Sequence, residues 1–153
     1  MIGHQEIRVR LAGTRDRRAF LEIDPRVASD LARRDTVDAA IASRMCWIAE
    51  RSGKPVGYGI LSRGFFAREF IDLLYVAEDE RRKGVGVAVL DAIESAVTSD
   101  RVFTSTNQSN APMRALLEQC GYRPSGTIDN LDPGDPELVF VKFRPKKAQS
   151  LAR

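Results

Sequence analysis

Between residues 76 and 89 the chain reads Val-Ala-Glu-Asp-Glu-Arg-Arg-Lys-Gly-Val-Gly-Val-Ala-Val, three consecutive bases and two glycines leading into an apolar run. Such a turn, placed where a helix begins, can hold an anion. The first-turn N–H groups have no intrahelical acceptor and lie at the positive end of the helix dipole. Gly84 and Gly86 leave no side chain in the way, and Arg81, Arg82 and Lys83 add charge suited to a pyrophosphate or a ribose phosphate. The same residues would serve equally as a strand-to-helix loop with solvated bases, and local sequence leaves both readings open. Two nucleotide motifs do not fit. The dinucleotide pattern G-x-G-x-x-G fails at Val89, with Thr106 where an acid is needed about 20 residues on. The P-loop pattern G-x-x-x-x-G-K-[ST] is absent. Just before the turn, residues 70–76 are nearly all apolar, interrupted by the single acid Asp72.

The elements that must position these residues follow from periodicity. Ile7, Val9 and Leu11 alternate with Arg8 and Arg10, which predicts a strand with one buried face. Thr14 can cap a helix carrying Ala19, Phe20 and Ile23, closed by Pro25, and a second helix is expected over 27–44. Residues 46–50 and 56–61 are short apolar runs around Arg51-Ser52-Gly53-Lys54-Pro55, a hairpin signal. Residues 70–76 read as a central strand buried on both faces. Val85, Val89, Ile93 and Val97, spaced by four, mark a helix over 86–97, and a strand follows at 102–105. Asn110 can cap a helix over 111–119 that tolerates Pro112 in its first turn and ends at Gly121. Strands at 122–128 and 138–143 flank a loop over 129–136. The predicted fold class is α/β (α+β), a mixed, mostly antiparallel central sheet of about seven strands with about four helices on its faces.

Composition bounds the rest. At 153 residues with 43% hydrophobic and 29% charged residues, the chain is long enough for one well-buried core and unlike a disordered or fibrous protein. No stretch approaches the roughly 20 apolar residues of a membrane span, and the polar start lacks a signal-peptide core, so a cytoplasmic location without membrane is expected. Cys46, Cys120 and the one histidine, His4, suggest no metal site, leaving two unbridged thiols. The net charge of +3 arises at the end: four of the 24 bases lie in 144–153, leaving 20 against 21 acids elsewhere. A single domain over 1–143 with a basic tail over 144–153 is therefore expected, and a solvated tail is favoured over a nucleic-acid arm.

The strand, the turn Arg81-x-x-Gly84-x-Gly86, the helix, the next strand, Asn110 and the helix ending at Gly121-Tyr122 together resemble the GNAT superfamily of N-acetyltransferases over nearly the whole chain. The resemblance implies acetyl-CoA as acyl donor. Arg81, Arg82, Lys83, Gly84, Val85 and Gly86 would cradle its pyrophosphate, and the backbone of Leu74, Tyr75 and Val76 would pair with the pantetheine arm, which Asn110 would also touch. Acetyl transfer to a primary amine then needs a base, because an amine of pKa near ~10 is protonated at neutral pH. Asp72 is the candidate, two residues before the strand end; some aminoglycoside acetyltransferases carry a glutamate at the matching position. An apolar setting would raise its pKa, which suits a base; the alternative is an Asp at the sheet surface or in an ion pair. Glu69 is the fallback. The backbone N–H of Leu74 would stabilise negative charge on the thioester oxygen. The pattern departs at Leu117, where many members have a tyrosine that protonates the leaving thiolate. Tyr122, Cys120 and Ser109 are nearby in sequence, and none is assigned that role.

The expected function is direct transfer from acetyl-CoA to an amine of a small molecule or peptide in a ternary complex. Leu117 keeps open a module of another class, an acyl-CoA-binding sensor with weak or no catalysis. Asp129, Asp132, Asp135 and Glu137 could attract a cationic amine, or simply be solvated. A homodimer is compatible with this reading.

Overall fold

The structure, a computed structural model, describes residues 6–145. The tail from residue 146 on and His4 lie outside them. The strands form a seven-stranded sheet in the order β1-β2-β3-β4-β5-β7-β6: β1 is Ile7–Leu11, β2 Cys46–Arg51, β3 Lys54–Phe65, β4 Arg68–Val76, β5 Arg101–Asn107, β6 Arg123–Asp132 and β7 Asp135–Phe143. Five α-helices accompany them, one more than expected: α1 Arg17–Ile23, α2 Pro25–Ser29, α3 Leu31–Ala42, α4 Val85–Ala96 and α5 Ala111–Gln119. None of the described helices is long and apolar enough to cross a membrane. The chain divides into two compact units, one running to Ser62 and including Ile71–Ser95, the other formed by Arg63–Phe70 and residues from Ala96 on.

In the first unit β2 pairs antiparallel with β1, Leu11 facing Trp47, and with β3, Cys46 facing Ile60. Ser52 and Gly53 turn the β2–β3 hairpin with positive φ of 52° and 77°, the geometry that suits the right-handed twist of paired strands. The helix expected over 27–44 is two helices. Asp24 and Asp30 are both extended, at φ −127° and −122°. Each carboxylate caps the helix that starts after it: Asp24 accepts from Arg26 N–H at 3.0 Å, and Asp30 from Ala32 and Arg33 N–H at 3.0 and 3.2 Å. Pro25 thus begins α2, where its missing N–H costs nothing. Thr14 opens a 3-10 turn instead of capping a helix. There Asp16 accepts from Gly13 N–H at 2.7 Å and pairs with Arg10 at 2.9 Å, which holds its carboxyl down to about 2. Phe20, Ile23, Val27, Val37, Ala40 and Ile41 of these helices form one core with Cys46, Ile48, Tyr58 and Ile60.

In the second unit β7 pairs antiparallel with β5, Arg101 facing Phe143, and with β6, Arg123 facing Val141. The residues expected as a loop over 129–136 are mostly strand, β6 reaching Asp132 and β7 starting at Asp135 around a turn whose Gly134 has φ 70°. The β3–β4 connection is also tighter than the sequence suggests. It turns at Phe66 and Ala67, both with positive φ, 51° and 58°. Phe65 meets Phe66 there edge-on and Phe70 and Phe103 at a tilt, at centroid distances of 5.0, 4.8 and 5.4 Å. Aromatic packing offsets a conformation that neither residue favours.

Candidate functional site

Helix α4 is brought close to the sheet by two glycines of β3. A Cβ on Gly57 would stand 2.9 Å from Val85 Cγ1 and 3.0 Å from the Tyr75 carbonyl oxygen. One on Gly59 would stand 2.6 Å from Ile93 Cδ1 and 2.8 Å from Val89 Cγ1. Only strand residues without side chains let the apolar stripe Val85, Val89 and Ile93, at most 1% exposed, reach the sheet. The start of α4 therefore sits against the end of β4. A glycine two residues from another in a strand was the signal for this close approach, unread beside the apolar residues around it.

The turn between them has the shape an anion site needs. Arg81 is extended, Arg82 has φ 61° and Gly84 φ 85°, and the first helical bond runs from Ala88 N–H to the Gly84 carbonyl at 3.1 Å. The N–H groups of Val85, Gly86 and Val87 lie in the first turn, where a helix supplies no acceptor. Among the described residues an added Cβ on Gly84 would meet only Ile7 Cδ1, at 3.9 Å, so they leave the space beside it open. Arg81, Arg82 and Lys83 are all exposed. Arg51 of β2, read from sequence as part of a hairpin turn, fastens this segment: its Nε donates to Glu80 Oε2 at 3.1 Å and its Nη2 to the Lys83 carbonyl at 3.3 Å. Arg81 Nε donates to the Val76 carbonyl at 3.2 Å, and its guanidinium lies 5.6 Å from the centre of the Tyr75 ring.

Leu74, Tyr75 and Val76 end β4 half-buried, so this strand is less enclosed than expected. Asp72 is exposed, which corrects the apolar setting read from its neighbours. Its Oδ1 accepts from Ser62 Oγ at 2.8 Å. Partial desolvation nevertheless raises its pKa above the ordinary aspartate value, with the Ser62 bond opposing the shift. The first unit thus brings together Asp72, the strand end and the whole turn.

The remaining candidates lie in the second unit. Asn110 caps α5, its Oδ1 accepting from Met113 N–H at 3.2 Å. Glu69 is buried and accepts from Ser99 N–H at 2.8 Å, Thr98 N–H at 3.0 Å and Thr98 Oγ at 3.2 Å. Burial pushes its pKa up, yet these hydrogen bonds bring it below the ordinary value, so the carboxylate acts as a loop clamp and is poorly suited to taking a proton. Leu117 and Tyr122 are buried. Of the loop acids, Asp132 accepts from Asn107 Nδ2 at 2.8 Å, and Asp135 accepts from Ser109 Oγ at 2.6 Å and Ser109 N–H at 3.0 Å. These bonds give both acids a structural role.

A sequence model described as the acetyltransferase (GNAT) family matches residues 15–122. No curated protein sequence matches the chain. A crystal structure of a GNAT-family acetyltransferase from Bacillus cereus ATCC 10987 is similar, with 28% identity, TM-score 0.86, and 92% of this chain and 99% of that one covered. The ribosomal-protein-S18-alanine N-acetyltransferase of Escherichia coli aligns at 18% identity and TM-score 0.76, over 97% and 99% of the two chains. A Bacillus anthracis acetyltransferase structure in complex with acetyl coenzyme A aligns at 16% identity and TM-score 0.61, over 65% and 62%. At these two lower identities the likeness is one of fold.

Proposed function

The chain belongs to the acetyltransferase (GNAT) family, and from that premise we propose that it moves an acetyl group from acetyl-CoA to a primary amine by direct transfer in a ternary complex. The observation that carries this reading is the junction of β4, the left-handed turn and α4. It offers first-turn amides, open space beside Gly84 and three exposed bases together, and these fit a pyrophosphate. Arg81, Arg82, Lys83, Gly84, Val85 and Gly86 are the residues that would hold it, and the backbone of Leu74, Tyr75 and Val76 would hold the pantetheine arm. Asn110, by the family resemblance, would touch the same arm. Residues 1–143 are taken as the acetyltransferase domain, in the cytoplasm, with 144–153 as a basic tail.

Acetyl-CoA supplies an acetyl group activated as a thioester. The chain supplies the rest. Asp72 takes the proton an amine must lose before it attacks, and its raised pKa brings its basicity closer to that task. The N–H of Leu74 is the proposed donor to the oxygen on which negative charge develops. A thiol of pKa about 8.5 leaves tolerably well unaided, so the place of Leu117, buried in the core where many members have tyrosine, needs no substitute acid. The proposed acceptor is an amine of a small molecule or a peptide. The name of the E. coli structural neighbour gives a ribosomal-protein alanine as that enzyme's acceptor.

Titration calorimetry with acetyl-CoA, paired with thiol release across a panel of amines, tests the reading. Saturable binding and turnover with at least one amine are expected. Binding without turnover on any amine would favour the acyl-CoA-binding module, and absence of binding would overturn both.

A further inference from the structure

Behind the strand end lies a buried cluster that the transfer chemistry does not use. Asp24 is fully buried, yet it carries a carboxylate. Its Oδ2 accepts from Tyr58 Oη at 2.6 Å and from Arg33 Nε at 3.0 Å, and its Oδ1 from Arg26 N–H at 3.0 Å. A buried carboxylate so fully bonded needs its partners, and Arg33, itself largely buried, is the cation that neutralises it. Arg33 is held at both ends, since its own N–H donates to Asp30 at 3.2 Å. Tyr58 is fixed as well: its ring meets Phe20 edge-on at 4.9 Å and lies 6.1 Å from the Tyr75 ring.

The Tyr75 ring is the meeting point. The guanidinium of Arg33 lies 5.9 Å from its centre and that of Arg81 lies 5.6 Å from it. Two cations on one ring would oppose each other, but Asp24 cancels the charge of Arg33. What remains at the ring is the charge of Arg81, on the turn proposed to hold the pyrophosphate. We propose that the Tyr75 side chain, seated against the Asp24–Arg33–Tyr58 cluster, is a positioning residue that holds Arg81 in place for the phosphates of the acyl donor. The inference rests on the functional reading above and adds a side-chain role to a residue assigned there only through its backbone. Its physical basis is preorganisation: arginine is among the side chains with most rotamer freedom, and a guanidinium already ordered on a ring and on the Val76 carbonyl loses less of it on binding.

The test compares CoA with S-acetylpantetheine, a donor that lacks the pyrophosphate. Tyr75→Leu should raise the calorimetric Kd for CoA roughly 2- to 5-fold, the range of a cation–π contact to an exposed arginine, and Tyr75→Phe should restore most of the affinity. The loss should be larger for CoA than for S-acetylpantetheine, whose KM should rise by a smaller factor than the CoA Kd in Tyr75→Leu. Tyr75→Leu added to Arg81→Met should weaken CoA no further than Arg81→Met alone, because the ring acts through Arg81. The paired change Asp24→Asn with Arg33→Gln, made together so that neither charge is left buried alone and checked by its melting temperature, should raise the CoA Kd in the same direction. An unchanged Kd in Tyr75→Leu, equal losses for both donors, or additive penalties with Arg81→Met would overturn the proposal; an unchanged Kd in the folded Asp24/Arg33 variant would overturn the part given to the cluster. Failure of the wild-type chain to bind CoA would instead overturn the functional reading.

Discussion

Replacing Asp72 by asparagine is expected to lower kcat/KM for the amine roughly 10²- to 10⁴-fold while leaving the Kd for acetyl-CoA unchanged. Asparagine keeps the size of the side chain and can still accept from Ser62, so what is lost is the ability to take a proton. The pH profile separates this from a structural effect. Asp72 acts only as the carboxylate, and desolvation places its folded-state pKa above the ordinary aspartate value. Wild-type activity, referred to the free amine, should therefore fall as pH drops through that raised pKa, and Asp72→Asn should lack this limb. Ser62→Ala removes the hydrogen bond that favours the charged form, and it should move the limb to higher pH. Full activity in Asp72→Asn would place the base elsewhere. The same shift has a consequence for stability: a carboxyl whose folded pKa is raised makes the fold less stable as pH rises through it, so Asp72 serves the reaction at a small cost to the fold.

Gly57→Ala should damage stability and donor binding together. The new Cβ would press on Val85 Cγ1 at 2.9 Å and on the Tyr75 carbonyl at 3.0 Å. Val85 is the first, buried residue of α4, and Tyr75 is strand backbone, so neither can yield without shifting the junction that forms the candidate site. Overpacking of this kind costs about 1–3 kcal/mol, which for a chain of this size is a fall in Tm of about 2–12 °C. The Kd for acetyl-CoA should rise with it. Gly134→Ala makes the contrast: no described residue lies within 4 Å of its Cβ, and the loss is confined to the cost of φ 70° in the second unit. Thermal unfolding and calorimetry on both variants check the pair. A Gly57→Ala chain with wild-type Tm and Kd would show that the close approach of α4 is not needed.

What could be read in the sequence was what is written locally. The first and last strands, the stripe of α4, the cap at Asn110 and the run from Arg81 to Gly86 announce themselves by period, by capping residue or by glycine, and the structure places these elements within a few residues of where they were expected. The break at Asp30 was hidden because its flanks keep a loose helical spacing while the carboxylate does the capping. The Phe66-Ala67 turn was hidden because it lacks the usual turn-forming residues and is accompanied instead by an edge-on contact of the Phe65 and Phe66 rings. Asp72 misled for a related reason: apolar neighbours in sequence say little about exposure in a strand, where alternate residues face opposite ways. Arg51 and the Asp24–Arg33–Tyr58 cluster were unreadable, since each depends on partners at least nine residues away that only the fold brings into contact.

The central claim is that the start of α4 holds the donor's pyrophosphate, and the most direct measurement is the response of individual amides to CoA. In a ¹⁵N-labelled chain titrated with CoA, the N–H resonances of residues 82–87 should shift more than any others outside β4, and adding inorganic pyrophosphate alone should move the same set. Saturable CoA binding that leaves the resonances of residues 82–87 unmoved would contradict the claim.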